Sequence, residues 1–244
     1  MKSKFIKTLL PIFFWCLVWE GAALIIGSNF LLPDIIATIK ALLVLLTGAG
    51  FYKAILFSLI RVVLGLALGV LAGFVLAVLS NKFEIFNTLI SPIISVIKST
   101  PVATFILLLW VLLSGDMLSI FIGFLMVVPI IWQNLLDGYK AIDKELSELC
   151  DVYQFSYKKR VKLLILPTLK RFFAPALITS LGLCWKAEIA AEIIAYTKNS
   201  IGQGINDAKY LMDTPTVFAW TVVIVVFSLC LEKGTKFLLG RTKK

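Results

Sequence analysis

The chain has 244 residues, of which 60% are hydrophobic and 16% charged; its mean hydropathy is +0.98 and its formal net charge +10. Apolar runs of about 20 residues recur, the length that crosses a bilayer as a helix, and together with the low charge content they exclude a soluble globular domain. The absence of histidine excludes His-based catalysis and most transition-metal centres, and Cys16, Cys150, Cys184 and Cys230 form no CxxC pair that would build a disulfide framework or a zinc site.

The N-terminal stretch MKSKFIKTLLPIFFWCLVW begins like a signal peptide, basic and then apolar. Its apolar character runs on to about Ile26 with no small-residue cleavage site, so it reads as an uncleaved first span. Hydropathy places six candidate transmembrane helices near residues 8–27, 55–80, 86–112, 117–137, 173–196 and 215–235. The expected architecture is an all-α, polytopic membrane protein. An N-terminal helix (1–28) and an outer interfacial segment (29–54) precede a five-helix core (55–235), which carries a cytoplasmic loop at 138–172; a basic tail (236–244) follows. In the interfacial segment, LLPDIIATIKALLVLLTGAG is helically periodic but short and includes Asp34 and Lys40, as suits a helix lying at the membrane surface. With both termini inside, 17 Lys and Arg fall on the cytoplasmic side and four outside, which predicts an N-in, C-in topology and makes nucleic acid an unneeded explanation of the charge.

Several residues inside the apolar segments stand out. Gly65, Gly69 and Gly73 repeat at four-residue spacing, a stripe that lets helices approach closely in lipid. Arg61 and Glu20 are charges near or within spans; Arg61 is expected to snorkel toward the outer surface or to pair with Glu20. Lys98-Ser99-Thr100-Pro101 joins a polar cluster to a helix breaker, which membranes tolerate where the freed backbone is buried in protein or lines water; these four are candidates for the solute pathway. Glu188 and Glu192, four apart, share a helix face with Trp185. That face either lines the pathway near an outer gate or serves a hydrogen-bonding or subunit-interface role.

The longest polar interruption is YKAIDKELSELCDVYQFSYKKRVKLLILPTLKRF. DKELSELC reads as a short helix capped by Asp143, with acids in its first turn. YKKRVKLLIL reads as a second amphipathic helix, which Pro167 is expected to end before the fifth span.

This interruption resembles the cytoplasmic loop of inner-membrane permease subunits of ATP-binding-cassette importers, whose pattern is E-A-A-x3-G-x9-I-x-L-P. Glu148, Leu149 and Cys150 fall on E-A-A, Gln154 on the glycine, and Leu164-Ile165-Leu166-Pro167 on I-x-L-P, with the spacing kept throughout. Leu149 and Cys150 replace small alanines. Gln154 replaces a residue that takes left-handed backbone readily, where others lose roughly 1–2 kcal/mol. The resemblance extends from about residue 30 to 235 through SLIRVVLGLALG (58–69), KSTPVATFILLLW (98–110), GLCWKAEIAAEIIA (182–195), SIGQGINDA (200–208) and VFAW (217–220), in the order of the nitrate/sulfonate/taurine-type permeases.

The resemblance implies a type I importer permease in the inner membrane of a prokaryote, with the loop 148–167 docking into a groove on a cytoplasmic ATPase. It also implies a second permease copy, forming a homodimer, and an extracytoplasmic solute-binding protein, which the connector YTKNSIGQGINDAKYLMDT would meet. The chain carries no GxxxxGK[ST] phosphate loop, so Mg-ATP would be held by the partner and this chain would bind no cofactor and not be an enzyme. Three other readings remain at this stage: a secondary transporter independent of ATP, the coupling subunit of a vitamin-type importer, and a membrane enzyme built on Glu188 and Glu192. The nature of the solute is open.

Overall fold

The computed structural model describes residues 2–113 and 115–240, with side chains described for 10–113, 115–237 and 239. Much of the basic tail therefore lies outside the described residues. All regular structure among the described residues is helical. In chain order the helices are α1 (Lys2–Ile26), α2 (Ile35–Thr47), α3 (Ala49–Lys82), α4 (Glu84–Ser99), α5 (Val102–Trp110), α6 (Gly115–Lys140), α7 (Lys144–Val152), α8 (Tyr157–Arg160), α9 (Leu166–Ile194), α10 (Ile201–Tyr210) and α11 (Thr214–Gly240). A π-turn at Val161–Ile165 joins α8 to α9.

Helices α3, α6 and α11 are long and apolar enough to cross a membrane by themselves. The segment expected as one span at 86–112 is two helices, α4 and α5, bent by 100° at their junction. The cause is local. Pro101 cannot donate to the helix ladder, and Thr100 turns its amide (3.0 Å) and its hydroxyl (2.8 Å) back to the Val96 carbonyl. The segment expected to lie at the interface is α2, capped by the Asp34 side chain, with Ile36, Ile39, Leu43 and Val44 exposed.

The core is the packing of α3 on α6 and of α6 on α9. The glycine stripe of α3 makes the first contact: a Cβ on Gly69 would lie 2.6 Å from the Val127 Cβ, and one on Gly73 2.8 Å from the Ile131 Cβ. Leaving out three methyl-sized groups brings the two backbones together, so the stripe works within one chain. Around it Val127, Ile131, Leu135, Leu181, Cys184 and Trp185 are buried, and Trp185 stacks on Phe227 of α11 at 6.2 Å. Helix α1 joins mainly by its C-terminal end, where Trp19 Nε1 donates to the Pro33 carbonyl (2.9 Å) and Glu20 accepts from the Ile35 amide (3.0 Å).

Contrary to expectation, Pro167 does not end the amphipathic helix. Residues 157–194 run on as one helical rod, because the π-turn absorbs the missing donor. The Leu166 amide reaches back five residues to Val161, and Pro167 sits in the first turn of α9, where its lack of an N–H costs least. The rod's α9 portion alone is about 40 Å long, so α7 and α8 lie at one end of the bundle and α10 at the other.

Overpacking the stripe is expected to cost roughly 1–3 kcal/mol. Gly69→Leu should lower the thermal midpoint of the purified protein in detergent, whereas Gly182→Ala, whose new Cβ meets nothing within 4 Å, should leave it unchanged or raise it.

Candidate functional site

Three places gather the residues that the sequence singled out: a buried polar junction, the α4–α5 elbow, and the α7–α8 loop.

At the junction Arg61 is 3% exposed, so it does not snorkel, and its partner is not Glu20, which serves the α2 amide instead. Its Nη1 donates to Glu192 Oε1 at 2.8 Å, its Nε to Asp116 Oδ1 at 2.9 Å, and its Nη2 to the Lys198 carbonyl at 3.1 Å. One guanidinium thus binds α3, α6, α9 and the segment leading into α10. The second Glu192 oxygen accepts from the Ser58 hydroxyl (2.8 Å) and from the Gly202 amide (3.3 Å), while the Ile201 amide donates to Ser58 Oγ (3.1 Å). The opening amides of α10 are therefore satisfied by side chains of α3 and α9. Gly202 is required there, since a Cβ would overlap the Glu192 backbone.

Glu188, one turn earlier on α9, is also fully buried, in a slot left by Gly65 and Gly123, and accepts from the Cys184 thiol at 3.3 Å. Trp185, Glu188 and Glu192 thus face the chain's own helices and have no exposed surface in this structure. Glu192 has both carboxylate oxygens hydrogen-bonded, whereas Trp185 Nε1 and Glu188 Oε2 have no hydrogen-bond partner among the described residues. Ser58 and Asp116 were missed by sequence reading. Asp116 had a signal, an acid at a helix start, but Ser58 had none.

At the elbow Lys98 and Ser99 are exposed and Thr100 half-buried, while Pro101 opens α5. A bend this sharp frees backbone groups that a membrane tolerates only against protein or water. The four residues are together and reachable, but they are not adjacent to the Arg61 junction in any described polar contact.

The third place is the loop. Asp143 caps α7 as expected, accepting from the amides of Glu145 (2.9 Å) and Leu146 (3.4 Å). The helix ends at Gln154, whose φ is +49°, with Phe155 N donating to Cys150 O (2.9 Å) and Gln154 N to Asp151 O (3.0 Å). That pair of bonds is a Schellman stop, which normally uses glycine. The turn keeps its shape and Gln154 bears the left-handed strain. Arg160 then ties the second helix to the first, donating to Asp151 at 2.6 Å and to the Ser147 hydroxyl. Cys150 and Leu164 are buried, packing the loop onto the bundle, while Glu148, Leu149, Leu166 and Pro167 are exposed. Leu146, Leu149, Val152 and Tyr153 make an apolar ridge on α7, and Val152 is 79% exposed. The ridge is a contiguous exposed apolar surface on a helix capped at both ends. The Arg160 clamp was missed from sequence because Lys158, Lys159 and Arg160 look alike there.

Removing one member of a buried ion pair leaves the other uncompensated. Glu192→Ala is expected to destabilise by about 3–5 kcal/mol, and Asp116→Asn, at the exposed end of the network, by about 1 kcal/mol or less; detergent unfolding measures both. Gln154→Gly should stabilise by about 1 kcal/mol by relieving the positive φ.

Comparison with known proteins agrees with this arrangement. Residues 65–244 match the family described as "Binding-protein-dependent transport system inner membrane component". A putative aliphatic sulfonates transport permease protein, SsuC of Bacillus subtilis (strain 168), is 28% identical over 191 residues, covering 78% of this chain and 66% of that one. The taurine transport system permease protein TauC of Escherichia coli (strain K12) is 25% identical over 229 residues, covering 91% of this chain and 83% of that one. Among solved structures, an amino acid ABC transporter crystallised with histidines superposes with a TM-score of 0.66 at 16% identity, over 85% of this chain and 98% of that one, a likeness of fold. With a bundle of this fold and a family match over most of its length, the chain belongs to the inner-membrane permease components of binding-protein-dependent ABC importers.

Proposed function

We propose that this chain forms half of the solute pathway of an ATP-driven importer, and that the α7 ridge with its Gln154 stop is the contact through which a separate cytoplasmic ATPase moves it. The observation that carries the reading is the construction of the loop. Asp143 at its start, the Schellman turn at its end and the Arg160 clamp fix a short helix whose apolar side points away from the bundle. A helix held at three points transmits a push; a flexible loop would absorb it.

The thrust has a direct route inward. Helix α8, the π-turn and α9 are one rod, so displacement of α7 and α8 is passed to the Glu192 end through α9. There Arg61 couples α9 to α3 and α6. In the proposed cycle, ATP binding closes two ATPase subunits, the paired loops move toward each other, and two permease copies rock from inward-open to outward-open. An extracytoplasmic binding protein delivers its solute into the opened path. Mg-ATP stays on the ATPase, and this chain supplies the docking helix, the rod and the path. The exposed elbow at Lys98–Pro101 is the polar surface proposed to face the solute. The loop lies on the cytoplasmic side in this reading, which gives N-in, C-in. The names of the relatives, one for aliphatic sulfonates and one for taurine, favour a small anion as solute, and an exposed Lys98 at the elbow suits one.

Glu148→Arg combined with Leu149→Asp is expected to abolish co-purification with the ATPase and ATP-dependent uptake in proteoliposomes, while the bundle still elutes as folded protein in detergent. Retention of both association and uptake would sink the assignment. Uptake driven by an ion gradient with no ATPase present would replace it with a secondary transporter.

A further inference from the structure

Arg61 is not the only basic side chain within an apolar helix. Lys186 stands in α9, eight residues or about 12 Å from the Ile194 end and 20 residues or about 30 Å from the Leu166 end. It is exposed, and it makes no ion pair among the described residues. The acid that feels its charge, Glu232 of α11, is already paired with Lys236. Glu188 and Glu192 lie on the buried side of α9 and bond to Cys184, Ser58 and Arg61 instead.

An ammonium at this depth escapes lipid in one of two ways, by snorkelling or by facing water and an anion. Helical side chains lean toward the helix N-terminus, so Lys186 leans away from its nearer end and over the preceding turn. That turn holds Gly182, where an added Cβ would meet nothing within 4 Å. Thr179, one turn further, is exposed on the same side of the helix. Thr168, Thr221 and Thr235 each return their hydroxyl to the carbonyl four residues back, but Thr179 makes no such bond among the described residues. Thr179, Gly182 and Lys186 thus outline a recess with a hydroxyl at one end and an unpaired ammonium at the other.

This face differs from an ordinary lipid-facing surface. On α3 the outward side chains include Leu64, Leu68, Leu71 and Val75, all apolar. On α9 Thr179, Leu183 and Lys186 point outward, with Gly182 and Ala190 half-buried beside them. The adjoining sides of the helix are covered: Trp185 stacks on Phe227 of α11, and Ala187 and Ala191 join the apolar cluster that holds Ile106 of α5.

We propose that Thr179, Gly182 and Lys186 form an anion-binding site on the solute path, which takes the oxyanion of a small solute such as a sulfonate, carboxylate or nitrate. The inference rests on the function proposed above and names the residues that meet the solute within the membrane. Lys186 supplies the charge, with three donors on a flexible stem, and Thr179 supplies one donor more. Gly182, lacking a Cβ, lets the anion reach the helix surface between them. In a recess walled by apolar helices, a single unpaired charge attracts anions and repels cations. The path-facing side of α9 is then the one turned away from Glu188 and Glu192.

The test uses the full permease with its ATPase in lipid nanodiscs, open to solvent on both sides. Cys16→Ala and Cys230→Ala give the background, since Cys150 and Cys184 are buried. Leu183→Cys then places a thiol beside the recess. It is treated, with and without ATP, with the anionic sulfonatoethyl or the cationic trimethylammonioethyl methanethiosulfonate. The thiol is expected to react in at least one state. Lys186→Gln should lower the ratio of anionic to cationic reaction rates about tenfold, and Lys186→Arg should restore it. Should Leu183→Cys fail to assemble, Thr179→Cys carries the same expectation. No reaction with either reagent in both states, as when lipid or a second copy covers this face, overturns the site. So does a rate ratio that Lys186→Gln leaves unchanged. Both of these results leave the ATPase assignment standing. A permease that never associates with an ATPase overturns that assignment instead, and the same labelling of the permease alone then reads the anion site separately.

Discussion

A guanidinium buried to 3% exposure inside an apolar bundle must be neutralised and must have its donors filled, and no single neighbour does this for Arg61. Glu192, Asp116 and the Lys198 carbonyl meet it from three directions, and each belongs to a different segment. The requirement to satisfy one charge therefore fixes α3, α6, α9 and the connector relative to one another at one end of the molecule. Ser58 and Gly202 extend the same network to the first amides of α10. Apolar packing alone is non-directional and would tolerate sliding of these helices; the ion pair sets their register.

The glycine stripe of α3 is the apolar counterpart of that constraint. Gly65, Gly69 and Gly73 bring α6 close enough for Asp116 to be within reach of a side chain on α3, and Gly65 with Gly123 leaves the space that Glu188 of α9 fills. The chain's sharp bend lies away from this registered block, at the α4–α5 elbow, where Pro101 removes a ladder bond. The π-turn before Pro167 solves the opposite problem. It keeps the rod from α8 into α9 continuous where proline would otherwise have broken it, so the surface loop and the buried junction belong to one element.

The loop was legible because its rules are local. Asp143 two and three residues from the amides it caps, the acidic first turn of α7, and the fixed interval to Gln154 depend on neighbours in sequence, and each formed as read. Gln154 also shows how a family pattern survives a substitution. The two Schellman bonds and the packing of Cys150 over-determine the turn, so the backbone stays left-handed at a cost of roughly 1–2 kcal/mol without glycine. The break in the third predicted span was legible in Pro101, but its 100° bend was not, since the angle depends on how α4 and α5 pack on the rest of the bundle.

Sequence by itself determined the class of this protein: its apolar runs and sparse charge commit it to the membrane, and its loop pattern and segment order point to a family. It could not assign Arg61 its partner. Glu192 lies 131 residues away, and pairing over that interval depends on how α3 and α9 flank α6, which no local rule encodes. For the same reason the sequence left two roles open for the face of Trp185, Glu188 and Glu192, and in the structure that face is buried among the chain's own helices: helical periodicity says which residues share a side, and only tertiary packing decides what that side meets.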